Sequence, residues 1–474
     1  MNIFEKIING FELFGAVYAA VYLLVYIILA VLAYLALSEY YHSKHFLHRQ
    51  VLVRSNHTIG VSIVAPAYNE SITIVDNVKS LLSQEYPKFE VVIINDGSTD
   101  DTLDKLIKEF SLIKVNFFYQ EKIITQPVKG HYRSTNPIYS KLLVVDKKNG
   151  GCKADGSNAG INSAKYPIFI CTDVDCILRK DTISTMVKPF IENTEKVIAS
   201  GAMIRISNSC EFKDGMLYKS HYPTNFFARF QELEYIRSYL FGRMAWSKIN
   251  SLLLVSGGLG MFHKETAIEA GGYWHKSLGE DLDLVLRMRL LMHRKGEHFL
   301  IKYVPETLCW TEVPRSMSVF LRQRTRWGRG LVQTLDIHKH VMFNPKYGRT
   351  GNIAFPYFVF FEFAVPIIEV IGMIVLFVNL LYFNVDYSNM FFIALAVYLF
   401  YTSITLMSVL VDQYFYKHYS GVKEMLSLIL SVIIEPIVYH PLNVFAYING
   451  YIHYITNKKQ KWGVMVRKGF NIAK

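Results

Sequence analysis

The sequence predicts an α/β domain built on a parallel sheet, inserted between an N-terminal transmembrane helix and a C-terminal transmembrane helical bundle. Three observations predict it. Residues 14–37 carry no charge. A second apolar region fills 353–455, in runs at 353–383, 390–411 and 425–453. Between them, from Val61 onward, strand-like and helix-like segments alternate in the order of a doubly wound, Rossmann-like sheet.

The first run is long enough to cross a hydrocarbon core of about 30 Å. A signal peptide is the competing reading, but the run is too long and lacks a basic start. The net charge is +12. Much of the basicity flanks apolar segments: His42, Lys44, His48, Arg49 and Arg54 after the first, Arg315, Arg322, Arg324, Arg326, Arg329 and Lys339 before the second, and Lys458, Lys459, Lys461, Arg467 and Lys468 at the end. The positive-inside rule places these flanks in the cytoplasm. Basicity beside membrane segments suits a lipid bilayer better than nucleic acid. Five cysteines without paired spacing indicate a reducing compartment and no disulfide frame. The expected division is anchor and basic linker (1–54), cytoplasmic domain (55–312), basic amphipathic segment (313–352), membrane bundle (353–455) and basic tail (456–474).

Within the domain, 61–66 and 89–95 are apolar, β-branched strands, each followed by a helix-compatible stretch at 70–84 and 99–110, the second with Thr99 as candidate cap. A third strand is expected near 113–119. Residues 121–150 are polar and Pro/Gly-punctuated, and read as a long loop or hairpin over the active face or as a plain surface insertion. Ligands of such sheets bind at the carboxyl ends of the strands. There is no G-x-G-x-x-G after the first strand, which disfavours NAD or FAD, and no Walker lysine loop.

Strand 168–172 runs into Asp173-Val174-Asp175. Two carboxylates at a buried strand end call for a compensating charge, and a divalent cation, Mg2+ or Mn2+, supplies it while leaving sites for substrate phosphates. Asp96 also follows an apolar strand, and reads as a nucleotide-side carboxylate or a turn acid. Tyr68, Asn69 and Glu70, just past the first strand, are placed to meet a base or ribose. Glu280 and Asp281 open an amphipathic helix at 282–292, where acids also favour the helix dipole. The sharper reading makes Asp281 a general base that removes a proton from an attacking sugar hydroxyl; Asp283 is the alternative base. In Gln323-Arg324-Thr325-Arg326-Trp327, the arginines suit a diphosphate clamp or lipid headgroups, and the Trp offers a flat platform for a sugar ring.

Taken in order, these strings resemble the membrane-integrated family-2 glycosyltransferases, which include cellulose, hyaluronan, chitin and poly-β-1,6-N-acetylglucosamine synthases. The matching residues run from Val61 to Trp327. SIVAPAYNE (62–70) and NDGSTDDT (95–102) look like the family's nucleotide-binding strands. GGCKADGSNAG is similar to its lysine segment, which makes Lys153 and Asn158 donor-site candidates. Asp173 and Asp175 match its D-x-D, Glu280-Asp281 its E-D base motif, and Gln323, Arg324, Arg326 and Trp327 its Q-x-x-R-W. SGGLGMF (256–262), with Gly257 and Gly258, looks like the loop beneath the acceptor, beside Glu280 and Trp327. Cys152 and Gly156-Ser157 depart from the usual pattern. The tail at 462–469 only loosely resembles the family's substrate-closing loop, and reads equally as a basic membrane-surface tail.

The resemblance implies a GT-A-type fold and an inverting, processive enzyme. It would use UDP-glucose or UDP-N-acetylglucosamine to extend a β-linked polysaccharide and pass it across the bilayer, with a small membrane or periplasmic secretion partner. The alternatives are a non-processive transferase loading one sugar onto a polyprenyl phosphate or lipid, and a membrane scaffold that only binds nucleotides. Glu362, Glu369, Glu435 and His440 fall in apolar segments, facing a cavity or partner or lying near helix ends, and Pro366, Pro436 and Pro441 are candidate helix breaks. Three spans after the domain would leave the basic tail outside; treating 425–453 as re-entrant or interfacial keeps it in the cytoplasm.

Overall fold

The computed structural model describes residues 3–43, 58–213, 216–382, 387–419, 421–458 and 471–472. Of the basic flanks, Lys44, His48, Arg49, Arg54, Lys459, Lys461, Arg467 and Lys468 lie outside the described residues, as does the 462–469 tail segment.

Ten strands form one sheet, in the order β3-β4-β5-β2-β1-β6-β11-β8-β12-β7. In chain order they are β1 (Val61–Ala67), β2 (Phe89–Asp96), β3 (Leu112–Val115), β4 (Val128–Ser134), β5 (Leu142–Lys147), β6 (Ile168–Thr172), β7 (Ile177–Leu178), β8 (Lys196–Ile206), β11 (Leu259–His263) and β12 (Phe299–Thr311), with the hairpin β9 (Cys210–Lys213) and β10 (Met216–Ser220) outside it. The centre, β5-β2-β1-β6, is parallel. Its strands are apolar along nearly their whole length because helices cover both faces. Against β1 and β2 packs α4 (Lys153–Ser163), and Gly160 permits the close approach: a Cβ there would lie 2.4 Å from Val64 Cγ1.

The expected parallel sheet is present at the centre, and it is extended by β4, β7 and β11, which run antiparallel to their neighbours. Residues 121–150 follow the hairpin reading: β4 and β5 pair antiparallel, and β5 also pairs with β2, so the hairpin is built into the sheet and is no surface insertion. The apolar run at 142–145 is the signal that the surrounding Pro and Gly concealed. The strand expected near 113–119 is Leu112–Val115, an edge strand. Thr99 does not cap the following helix, which is α3 (Thr102–Glu109) after α2 (Ile74–Leu82); Thr99 instead bonds Asn69.

Among the described residues, four helical stretches are long and apolar enough to cross a membrane: Gly10–His42, Thr350–Leu381, Ala394–Tyr416 and Val422–Ile455. The corresponding helices are α1 (Ile3–Ser43), α8 (Ala364–Tyr382) with the helical turns before it, α9 (Tyr387–Tyr416) and α10 (Val422–Ile455). Between the sheet and this bundle stand α5 (Phe226–Tyr235), α6 (Glu280–Lys295) and α7 (Met317–Ile337). One end of α1 meets the domain through Tyr40 and Glu306 (2.6 Å), and the end of α9 does so through Asp412 and Arg205. The far ends of α1 and α8 meet each other, Asn379 to Glu12 at 2.7 Å. By contrast α10 touches the domain side at both ends: Glu424 accepts from Tyr222 N at 3.3 Å, and Tyr454 donates to Asp336 at 2.8 Å. It runs unbroken through Pro436 and Pro441. Two charged residues in its middle are partnered: Glu435 with Arg237 at 3.0 Å, and His440 with Glu369 at 3.0 Å.

Candidate active site

The carboxyl ends of the central strands form one rim. Asp173 and Asp175 leave β6 there, and their carboxylates and the Cys176 thiol present ligand atoms within 4.8 Å of one another. Lys153, the first residue of α4, reaches across to pair with Asp173 at 2.5 Å and donates to Gly257 O at 2.7 Å. Burial works against the charge on this ammonium, but Asp173 outweighs it and holds the Lys153 pKa above its ordinary value.

Asp281 sits in the first turn of α6. Its Oδ2 accepts from Gly257 N at 3.1 Å and its Oδ1 from Leu282 N at 3.0 Å. Gly257 thus joins both sides of the site, its carbonyl holding Lys153 and its amide holding Asp281. Glu280 lies 4.0 Å from Arg326, and burial pushes its carboxyl up although Arg326 opposes this. Helix α7 lies directly against the turn that carries these acids. A Cβ at Gly330 would stand 2.7 Å from Gly279 N, so only glycine permits the contact.

A cavity of about 1480 Å³ takes in Asp173, Asp175, Lys153, Asp281 and Trp327, and continues between the membrane helices past Tyr26, Glu362, Tyr401 and His440. Tyr68, Glu70, Gly257, Gly258, Glu280, Gln323 and Arg326 line it as well.

Four expected residues stand apart. Asp96 is buried and bound to Lys147 at 2.6 Å and to Gly150 N at 3.1 Å. Asn158 is buried against the chain at Tyr273, donating to its carbonyl at 2.7 Å and accepting from its amide at 2.8 Å. Arg324 is completely buried, pairs with Glu234 at 2.8 Å and stacks 4.0 Å from the Trp327 ring. The helical period explains the case of Arg324. Residues 323, 326 and 327 share the face of α7 toward the cavity, whereas Phe320, Arg324 and Gly328 form the stripe packed on α10. Arg324 therefore supports Trp327 from behind. Asp283 is turned away too, bonded to Arg287 at 2.8 Å and His338 at 2.9 Å.

Sequence reading missed two residues. Lys147, fully buried, pairs with both Asp96 and Asp155; it lies in the segment read as a loop or hairpin, where nothing in the sequence marks it. Arg243 lines the cavity with its guanidinium 3.7 Å over Tyr239; no motif marks it.

Residues 57–330 match the model of the family described as "Glycosyltransferase like family 2". The chain belongs to this family. The transferase is 29% identical over 286 residues to a poly-β-1,6-N-acetyl-D-glucosamine synthase of Staphylococcus epidermidis, a match covering 60% of this chain and 58% of that protein. It is 25% identical over 287 residues to the synthase of the same name from Staphylococcus aureus strain COL, again 60% of this chain and 58% of the relative. The match thus spans little more than half the length of these relatives. Among solved structures, a mannosyltransferase from Pyrobaculum calidifontis, in complex with GDP-Man and Mn2+, aligns over 91% of the transferase and 100% of its own chain at 16% identity, with a TM-score of 0.49.

Proposed function

We propose that the transferase is an inverting, processive polysaccharide synthase that takes N-acetylglucosamine from its UDP conjugate and extends a β-linked polymer at the cytoplasmic face of a membrane. One observation carries this reading: the cavity that contains the Asp173–Asp281 cluster extends between the membrane helices. A growing polymer needs room there to leave the site; the transfer of one sugar does not. The choice of sugar rests on the activity printed for the staphylococcal relatives; UDP-glucose is the other donor to test. Incubating purified enzyme with radiolabelled UDP-N-acetylglucosamine and UDP-glucose, and sizing the product, decides both points. A single-sugar lipid product would overturn processivity.

In the mechanism that fits the geometry, Asp281 takes the acceptor hydroxyl's proton on a carboxylate oxygen as that hydroxyl attacks the anomeric carbon. Attack from the side opposite the leaving diphosphate inverts the centre. Lys153 is placed to donate to the diphosphate, and Arg326 to counter its charge from α7. Trp327, braced by Arg324, presents a ring face for the acceptor sugar. Asp173 and Asp175 fit a divalent cation, since their oxygens converge within 4.8 Å with Cys176. Bound there, Mg2+ or Mn2+ would neutralise charge on the diphosphate. Treatment with EDTA is expected to lower turnover at least about tenfold, restored by either ion; full activity in chelator would remove Asp173 and Asp175 from this role. Trp327→Ala is expected to shorten the polymer about tenfold, the size of a lost stacking contact of roughly 1.5 kcal/mol, with hydrolysis of donor by water little changed. Equal loss of both would make Trp327 a structural residue.

The contacts at both ends of α10 support an interfacial placement for it. With α1, α8 and α9 as the spanning helices and the amino terminus outside, the α/β domain and the basic tail share the cytoplasmic side, in accord with the charge rule. A growing polysaccharide and a small secretion partner remain the proposed partners.

A further inference from the structure

A second cavity, of about 370 Å³, opens beside the far end of α4, at Asn162 and Ser163, whereas Lys153 at the near end meets Asp173. By the helix rise the two ends are roughly 15 Å apart. Lys122, Arg133, Lys165 and Lys264 line the second cavity, and no carboxylate does. Among the described residues none of these four cations forms an ion pair with a carboxylate. Burial lowers the Lys264 pKa, with Lys122 adding to the effect and only Glu90 opposing. Glu90, the nearby acid, already accepts from the Ser62 hydroxyl and the Lys165 amide; like charges gathered in a concave site with no acid in its lining repel one another, and an anion relieves that cost.

The opposite wall is aromatic. Phe117 stacks on His131 at 4.6 Å and carries Arg133 at 5.5 Å above its ring. Phe118 is 99% exposed at the rim. A large aromatic left wholly in water beside a cationic hollow is placed to cover a ring.

We infer that this cavity is a binding site for a phosphorylated small molecule of the nucleotide class, its phosphates held by Lys122, Arg133, Lys165 and Lys264 and its ring laid on Phe118. The site is coupled to the active site through the segment between β3 and β4. Asn162 receives the amides of Lys122 and Ile123 at 3.2 and 3.1 Å, and three residues further on Gln126 N donates to Asp155, in the first turn of α4, at 3.1 Å. Ordering Lys122 by a ligand therefore bears on the helix end that carries Lys153.

The test uses the full chain in phosphatidylcholine nanodiscs with EDTA present, titrated calorimetrically with ADP and, separately, with inorganic pyrophosphate. ADP is expected to bind saturably and more tightly than pyrophosphate. Lys122→Ala/Arg133→Ala is expected to weaken ADP at least tenfold, and Phe118→Ala to remove its advantage over pyrophosphate, with transfer in the absence of ADP unchanged in both. Unaltered affinity in the double variant would assign the binding to the donor site and overturn the proposal, as would no saturable binding of ADP. Equal binding of ADP and pyrophosphate would overturn the nucleotide class. Displacement of ADP by phosphatidylglycerol in the nanodisc would assign the cations to a lipid headgroup instead.

Discussion

Asp281→Asn is expected to lower sugar transfer by about 10²–10⁴-fold, the usual contribution of a positioned general base, while UDP-sugar affinity stays nearly unchanged. The amide cannot take up the acceptor's proton, yet it keeps the volume of the carboxylate and one acceptor oxygen for Gly257 N or Leu282 N. Lys153, Asp173 and Asp175 remain in place to meet the donor's diphosphate. Single-turnover transfer and donor titration on the same preparation separate the two effects. Asp283 supplies the contrast. Its carboxylate is buried between Arg287 and His338, so Asp283→Asn should lower the melting temperature with little change in turnover per folded molecule. Wild-type transfer by Asp281→Asn would eliminate Asp281 as the base. Selective loss of transfer in Asp283→Asn, without loss of stability, would move that role one helix step along.

The acidic motifs of the site were legible because each ends a strand or begins a helix, where periodicity is easiest to read. Asp173 and Asp175 follow an unbroken apolar strand, and Asp281 opens an amphipathic helix. What stayed hidden depends on the third dimension. That Gln323, Arg326 and Trp327 look into the cavity while Arg324 looks away follows from helical spacing only once α10 is known to cover the other stripe. Asn158 and Asp96 occupy motif positions, yet spend their hydrogen bonds on the frame behind the site. The strand β5 was lost because its apolar core is short and flanked by Pro137 and Gly150, which read as loop punctuation. With that strand went Lys147, whose partners come from β2 and α4.

Lys147 is where the largest loss of stability is expected. Its ammonium is fully buried and contacts Asp96 at 2.6 Å, Lys148 O at 2.6 Å and the Asp155 carboxylate. The cluster ties β5, β2 and the first turn of α4 together beneath the rim. Burial already pushes the Asp96 carboxyl up, and Lys147 is the main group holding it down. Lys147→Met would fill the same space but leave two buried carboxylates facing each other, a change that costs about 3–5 kcal/mol when one partner of a buried pair is removed. The melting temperature in detergent should fall by roughly 10 °C at neutral pH. The sign of its pH dependence follows from linkage. In the variant, the Asp96 carboxyl loses the group that opposes its burial and its folded-state pKa rises further above that of the unfolded chain, so the folded state binds more protons and stability falls as pH rises through that window. The deficit relative to wild type should therefore shrink as the pH is lowered from 7 toward 5. Lys147→Arg, which retains the charge but must fit a wider head, should lose less than the methionine variant at pH 7 and show no such recovery in acid. Equal melting temperatures for wild type and Lys147→Met at pH 7 would show that water or rearrangement satisfies both acids, and that the cluster does not hold the rim.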